Sequence, residues 1–491
     1  MVRKVPAQGR RRMRKLIVFL GATMLASCNL APEFRQPAAP ISPTYAQPSE
    51  GSRLASDIGW REFFGDTRLQ AYIQAALANN QDLAQSVARI EQARAQYRIT
   101  EADRLPQVDL SGSGTRTRSP INALGFGNTL PGGGGGEQPT SIDITQYNVG
   151  VAVSSFEIDF WGRVRNLQDA ARARFLATIE AERAFRLSLI SQVAATYLAI
   201  RSGEERIALA EQTLTARTEG LRIATLRADA GVTSVVDLDQ ATVLLTQAET
   251  ELADLQRTTD QSRNLLDVLV GGPIAGSLPE GQPLSDPRQF RGLDAGLPSQ
   301  LLANRPDVLG AELQLRAANA DIGAARAAFF PSISLTGSLG FASPALGSLI
   351  NTDAQNWSFG GALGLPIFDW GRREAQLKIS RATADELTAA YRRTVQEAFR
   401  EVSDALVGRQ RYAQQIAAQE RAVTAQQRLA RVARLRYQNG ISIYLEVLDA
   451  ERNLFAAQQQ LLALRSAELQ NGVSLYVALG GGLAEPPVSG D

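Results

Sequence analysis

The chain contains one sequence unit twice, and this restricts its fold more than any other feature. The segment 77–83 (Leu-Ala-Asn-Asn-Gln-Asp-Leu) returns 225 positions later as the segment 302–308 (Leu-Ala-Asn-Arg-Pro-Asp-Val). The Trp-Gly-Arg motif at 161–163 returns 209 positions later at 370–372, so one insertion lies in the first copy, around the glycine run 132–136. Further matches are 106–112 with 331–337, Gly231 with Gly440, and 270–272 with 479–481. The chain is therefore predicted to be an internal tandem duplication.

The N-terminal residues are typical of an export signal. Seven basic residues precede the apolar segment 16–25, which is too short to span a bilayer as a helix. The signal ends in Leu-Ala-Ser-Cys28, which resembles a bacterial lipobox, and Cys28 is the only cysteine in the chain. We predict a covalent lipid on Cys28 and no other cofactor; an ordinary signal peptide that contains a cysteine is the alternative. By resemblance to bacterial lipoproteins, Asn29 favours the outer membrane.

The composition argues against enzymatic and nucleic-acid-binding functions. Without the signal, 44 basic residues face 50 acidic ones, a balance that does not favour nucleic acid. The chain has no histidine, and Lys378 is the only lysine after the signal. These absences exclude His-based catalysis and His or Cys metal sites. The glycine run 132–136 lacks the Gly-Lys-Ser/Thr ending of a phosphate-binding loop, so we interpret it as a flexible loop.

Four segments alternate between apolar and small polar residues. Near residues 356–368, for example, Trp357, Phe359 and Leu363 alternate with Ser358 and Gly360. This period predicts strands with one apolar face, typical of outer-membrane barrels, with soluble hairpins as the alternative. The predicted strands cover about 107–117, 144–160, 332–341 and 356–368. Because four strands cannot close a barrel, several chains must combine; two give eight strands, whereas three give twelve and room for a passage, which favours a trimer.

The remaining segments predict very long helices. Residues 163–230 form an uninterrupted helical pattern of about 68 residues, roughly 100 Å long. The shorter patterns 233–270 and 80–104 together approach that length, so they could lie antiparallel beside the long helix. The second copy repeats these patterns at 372–439, 441–479 and 305–330. Such lengths imply coiled-coil packing, and three chains with four helical columns each would form a twelve-column tunnel.

Several motifs resemble the TolC family of outer-membrane channels, and more closely its lipoprotein branch, the outer-membrane factors of resistance-nodulation-division (RND) efflux systems. The resemblance rests on Leu-Ala-Asn-Arg-Pro-Asp at 302–307, the motifs 160–163 and 369–372, and the segment 436–450. It implies a homotrimer in the outer-membrane lipid, with a periplasmic tunnel and an equatorial belt. It also implies a periplasmic adaptor and an inner-membrane RND pump as partners, and passive export without catalysis.

The resemblance divides the chain into six regions. They are the signal peptide 1–27, the lipidated and Pro-rich tether 28–57, the first repeat 58–272, an equatorial linker 273–297, the second repeat 298–482 and a C-terminal tail 483–491.

The resemblance also assigns two sites near the helix-to-helix turns. The turns Gly231-Val232-Thr233 and Gly440-Ile441-Ser442 correspond to the tunnel tips that contact the adaptor. Locally, each Gly can end a helix in a left-handed conformation, and Thr233 or Ser442 can cap the next helix.

The second site is a periplasmic gate at Leu445, Glu446, Asp449 and Asp237. Glu446 and Asp449, three residues apart, are expected on one helix face, and in a trimer each acid would form a ring of like charges. In the first copy, Asp237 corresponds to Glu446 and Gln240 to Asp449. Ser442 departs from the best-studied family members, which carry an Arg there that bridges to the acid matching Asp237. A protein-secretion channel and a non-conducting structural lipoprotein are the alternative functions.

Overall fold

The computed structural model describes residues 29–46, 53–120 and 141–482, except residues 275, 291 and 297. The signal, Cys28, the glycine run 132–136 and the tail 483–491 lie outside the described residues. The helices are α1 (Trp60–Phe63), α2 (Thr67–Asn79), α3 (Gln81–Ala102), α4 (Arg163–Asp229), α5 (Val235–Val270), α6 (Pro298–Asn304), α7 (Pro306–Ala327), α8 (Arg372–Gln438) and α9 (Tyr444–Ala478). The strands are β1 (Asp109–Pro120), β2 (Ser141–Glu157), β3 (Ser332–Ser343) and β4 (Gln355–Gly364).

The protein is mainly helical with one antiparallel sheet, which confirms the predicted fold class. Helices α4 and α8 each contain 67 residues, against the predicted 68, and the shorter helices begin and end within a few residues of their predicted bounds. Strand β4 ends at Gly364, whereas the pattern predicted a strand to 368. Pro366 explains the difference, because proline has no N–H to donate to a strand ladder.

The chain divides into two compact units. One unit contains the sheet and its flanking helix ends, from the described residues within 93–175 and 314–387 together with residues 29–35. The other contains residues 36–92, 176–313 and the chain from Thr388 onward. Among the described residues, no helix combines the length and the apolar composition needed to cross a membrane.

The sheet has the strand order β1-β2-β3-β4, and every neighbouring pair is antiparallel. Its register places Leu110 opposite Val151, Val151 opposite Leu339, and Leu339 opposite Trp357. Since residues directly opposite each other share a face, one apolar row crosses all four strands. This face is open in the single chain, where 74% of the Trp357 surface is accessible.

The other face of the sheet carries small and polar residues. Ser338 and Ser358 lie opposite each other, and their hydroxyl oxygens are 2.8 Å apart. Gly150 and Gly340 also face each other, and a Cβ atom on Gly340 would lie 2.4 Å from the Val149 carbonyl oxygen. Only glycine allows these two strands to approach so closely. The sheet therefore has one apolar face and one small polar face, as the alternation predicted.

The two sequence copies make equivalent contacts. Asn80 donates a hydrogen bond to the Leu269 carbonyl oxygen at 2.9 Å, near the end of α5. At the corresponding positions of the second copy, the buried Arg305 donates to the Ala478 carbonyl oxygen at 3.0 Å. Arg305 also forms ion pairs with Asp307 and with Glu401 of α8. The residue that follows the duplicated Leu-Ala-Asn motif, Asn80 or Arg305, therefore links the start of one helix to the end of another in each copy.

The largest apolar core lies in the second unit. Phe63 stacks on Tyr476 with ring centroids 4.0 Å apart, and Phe290 stacks on the other side of Phe63 at 5.0 Å. The Tyr476 hydroxyl donates to the Ile58 carbonyl oxygen at 2.7 Å. Residues far apart in the chain thus share one aromatic cluster, which holds the N-terminal segment and the linker against α9.

Candidate functional site

Both helix-to-helix turns have the same backbone geometry. Gly231 and Gly440 have φ angles of 70° and 73°, in the left-handed region that glycine adopts without steric cost. The N–H of Val232 donates to the Arg227 carbonyl at 2.9 Å, and that of Ile441 donates to Arg436 at 2.9 Å. These hydrogen bonds define a Schellman C-cap at each turn. The glycines therefore end α4 and α8 as predicted, and the chain reverses within a few residues.

The capping of the next helix differs from the prediction. Ser234, not Thr233, caps α5, because its hydroxyl accepts a hydrogen bond from the Val236 N–H at 3.1 Å. Helix α9 follows Ile443, which has no side-chain cap, so Ser442 does not cap it either. The hydroxyls of Thr233 and Ser442 are both shielded from solvent, and neither has a hydrogen-bond partner among the described residues. The two turns thus carry equivalent hydroxyl groups with unused hydrogen-bonding capacity.

An apolar cluster supports the two turns. It contains Tyr437 and Tyr444 with ring centroids 5.0 Å apart, and Val447 and Leu448 of α9. The Arg227 guanidinium lies 4.6 Å from the centre of the Tyr437 ring, a cation–π contact between the two hairpins. Since the cluster takes residues from α4, α5, α8 and α9, it fixes the ends of the two hairpins to each other.

Tyr444 gives this cluster a measurable pH dependence. Burial, reinforced by the nearby Glu451 carboxylate, raises the pKa of Tyr444 from 10.0 to about 12. Because the folded state favours the neutral phenol, its stabilisation is complete below pH 10 and is lost as the pH rises toward 12. We expect the unfolding temperature, followed by circular dichroism, to fall less in Tyr444→Phe than in the parent between pH of about 9 and about 11. An equal fall in both proteins would contradict this assignment.

A groove between α5 and α9 contains part of the predicted gate. Its volume is about 310 Å³, and Leu445, Asp449 and Gln240 line it. The Asp449 carboxylate pairs with Arg452 on the same helix at 3.0 Å, and about half of its side chain is accessible. Gln240, which the sequence identified only as the counterpart of Asp449, has a shielded side-chain oxygen without a hydrogen-bond partner in the described residues. The structure therefore brings Leu445, Asp449 and Gln240 together.

The other two predicted gate residues lie elsewhere. Glu446 is absent from the groove lining and lies 3.9 Å from Arg436 in the same hairpin. Asp237 is also absent from the groove lining, and its charge contributes to the raised pKa of Tyr444. Glu446 and Asp449 lie about 60° apart around α9, which is the spacing of residues on one helix face, but Glu446 pairs with Arg436 of α8 and Asp449 with Arg452 of α9.

Two ion pairs lie within the second hairpin, near Ser442, the position at which the best-studied family members carry an Arg. Arg434 of α8 binds Glu451 of α9 at 2.6 Å, and this ion pair links the two helices of the hairpin beside the apolar cluster. Together with the pair formed by Arg436 and Glu446, it gives α8 and α9 two charged links. Ser442 itself makes no such link.

Arg217 is a further residue of this region that sequence reasoning missed. It is only 6% exposed, donates a hydrogen bond to the Leu244 carbonyl at 2.7 Å, and lies over the Phe455 ring. Burial lowers the pKa of this guanidinium. A single Arg in a long helix looks like any solvated side chain, so the sequence contains no signal for this role. Within the described residues, no group of three or more His, Cys, Asp and Glu side chains could hold a metal ion.

The chain is similar to outer-membrane efflux proteins in sequence and in structure. The family model described as outer membrane efflux protein matches residues 72–272 and 297–481. The solvent efflux pump outer membrane protein SrpC of Pseudomonas putida is 40% identical over 442 residues, covering 89% of this chain and 91% of that protein. The cation efflux system protein CusC of Escherichia coli is 40% identical over 440 residues, with the same two coverages. The open state of the MtrE outer membrane channel of Neisseria gonorrhoeae superposes with a TM-score of 0.82 at 36% identity, covering 93% of this chain and 99% of that one.

Proposed function

This chain belongs to the outer membrane efflux protein family, and on that premise we propose that three copies form one passive conduit for small molecules. The protein is an outer-membrane efflux channel. Three further features are proposed for it: assembly as a trimer, an adaptor and a pump as partners, and a gate at the helix-to-helix turns. The conduit receives its cargo from an inner-membrane RND pump through a periplasmic adaptor, and it performs no catalysis.

The free edges of the sheet support the trimer. In the four-stranded sheet, β1 and β4 each have one edge without a partner strand among the described residues. An open edge with an apolar face is not tolerated in lipid, because its backbone N–H and C=O groups would lack hydrogen bonds. Twelve strands from three chains close a barrel that is wide enough for a passage, whereas eight strands leave an interior that side chains fill.

The groove at Leu445 and Asp449 supports the gate. Asp449 has an accessible carboxylate and lines the groove with the apolar Leu445, and both lie near the start of α9, where the hairpin reverses. Around a three-fold axis they would form a ring of three carboxylates beside a ring of three leucines. Such a ring favours cations, and its mutual repulsion must be relieved for the channel to close tightly.

The turns and the N-terminus support the partners. Val232 and Ile441 are exposed at the two turns and offer apolar contacts to a docking protein. We therefore assign both turns to the adaptor. A lipid on Cys28 would provide an additional outer-membrane anchor.

The relatives carry the names of different cargoes, a solvent for SrpC and a cation for CusC, at the same identity to this chain. A conduit with a passive wall accounts for such a range, because the pump then selects the cargo. We propose that this chain likewise exports small toxic molecules such as drugs.

Single-channel conductance of the purified chain in a planar bilayer, with its native mass determined in parallel, tests the proposal. A trimer with a small, cation-favouring conductance is the expected result. A trimer that never conducts, even after the gate residues are replaced, would instead identify a structural lipoprotein.

A further inference from the structure

The two tryptophans of the duplicated Trp-Gly-Arg motif have different surroundings. Trp161 is half-buried, its indole N–H donates to the Pro331 carbonyl oxygen at 2.9 Å, and its ring stacks on Phe330 at 4.6 Å. Trp370, its counterpart, is 89% exposed. Within the described residues, the Trp370 indole has one ring contact, to Phe368, and no hydrogen-bond partner. One copy of the motif is therefore satisfied within the chain and the other is not.

The satisfied copy lies at the joint between the two repeats. Here the last strand of the first repeat, β2, pairs with the first strand of the second, β3. Close to Trp161, Phe156 lies opposite Leu335, and the Ile158 N–H donates to the Ile333 carbonyl oxygen at 2.8 Å. Phe156, Ile333 and Leu335 are partly buried at this joint. The internal joint thus shows how the end of one repeat unit fits the start of another.

The two outer edges of the sheet repeat the two sides of this joint: the outer edge of β4 corresponds to β2, and the outer edge of β1 corresponds to β3. In the second repeat the chain leaves β4 and reaches Trp370, and in the first repeat it passes Leu105 and Pro106 before it enters β1. The interval of 209 residues relates Trp161 to Trp370. The interval of 225 residues relates Leu105-Pro106 to Phe330-Pro331. The counterparts of the internal joint are Leu365, Ile367 and Trp370 on one edge, and Leu105, Val108 and Leu110 on the other, and all six are exposed.

We propose that the internal joint is repeated between chains, so that Trp370 of one copy docks on Leu105 and Pro106 of a neighbouring copy. The Trp370 indole N–H donates to the Pro106 carbonyl, and Leu365 lies opposite Leu110 where β4 meets β1 of the neighbour. This inference rests on the proposed trimer and adds the residues that seal each of its three seams.

The backbone of Trp370 supports an external contact. Its φ angle of 57° is left-handed, the only such value for a non-glycine residue in the described ranges. A bulky residue adopts this conformation at a steric cost and therefore needs compensating contacts. Trp161, which is satisfied internally, is free of this strain. Since the described part of the chain supplies only the ring contact to Phe368, we infer that the compensating contacts come from a neighbouring copy.

Cysteine cross-linking in outer membranes tests the seam. We expect the double variant Leu110→Cys with Leu365→Cys to form covalent dimers and trimers on oxidation, visible on a non-reducing gel. Each single-cysteine variant controls for Cys28. The matched control pair, Ser111→Cys with Leu365→Cys, places one thiol on the opposite face of β1. This control should cross-link far less.

A double-mutant cycle tests the docking of Trp370. The thermal dissociation temperature of the trimer should fall in Trp370→Ala and in Leu105→Ala, and the double variant should fall by less than the sum. Strict additivity, or preferential cross-linking of the control pair, would overturn the seam and would place Trp370 in lipid. A parent protein whose native mass is that of a monomer would instead refute the trimer itself.

Discussion

Replacing Leu445 and Asp449 together by alanine is expected to raise the single-channel conductance of the trimer severalfold. The two side chains line the same groove beside Gln240. In the proposed trimer their loss would remove an apolar constriction and one ring of carboxylates, so the passage should widen and its preference for cations should decrease. Single-channel recordings in planar bilayers measure both effects, and uptake of a drug by cells measures the leak in the membrane.

Glu446→Ala is the matched control for the gate. Glu446 lies one position from Leu445, but it pairs with Arg436 and is absent from the groove lining. Its replacement should weaken one ion pair at the turn and change the conductance little. If the double variant keeps both the conductance and the drug uptake of the parent, the groove is not the gate.

Asp66→Ala is expected to reduce the free energy of unfolding by about 3–5 kcal/mol. Asp66 is fully buried in the second unit and caps α2 by accepting the Arg68 N–H at 2.8 Å. Its other oxygen accepts the Tyr197 hydroxyl at 2.6 Å and the Gln282 N–H at 2.9 Å. Alanine would leave the buried Tyr197 hydroxyl and the half-buried Gln282 N–H without this acceptor. Thermal unfolding followed by circular dichroism measures the loss.

Two milder variants distinguish the roles of Asp66. Asp66→Asn keeps an acceptor oxygen for the helix cap and should retain part of the stability. Tyr197→Phe removes one donor and leaves the cap, so we expect a loss of about 1 kcal/mol. A parent-like unfolding temperature for Asp66→Ala would show that water replaces these hydrogen bonds.

The fold was predictable from local patterns because the elements are long and regular. The period of Trp357, Phe359 and Leu363 identified a strand, and the sheet places all three on one face. The turn glycines Gly231 and Gly440 ended their helices as expected, since a left-handed C-cap depends on the backbone of one residue. Strand ends were less predictable, because Pro366 interrupts the hydrogen bonds before the apolar alternation stops.

The site was predictable only in part. Leu445 and Asp449 share a groove, as their positions on α9 suggested, but Glu446 and Asp237 do not join them. Ser234 is the N-cap residue, not Thr233, because α5 begins one residue later than the turn pattern indicated. Arg217 of α4 is buried because it contacts Leu244 of α5 and Phe455 of α9. A local sequence pattern does not predict contacts between three helices.

The sequence by itself determined the duplication, the helix and strand types and the family, because each follows from periodicity or from motifs within short stretches of chain. Only the tertiary structure decided which partners each side chain has. The same Trp-Gly-Arg motif gives a half-buried Trp161 and an exposed, strained Trp370. The physical reason is topological: among the described residues, β2 of the first repeat pairs with β3 of the second, whereas the outer edge of β4 has no partner strand.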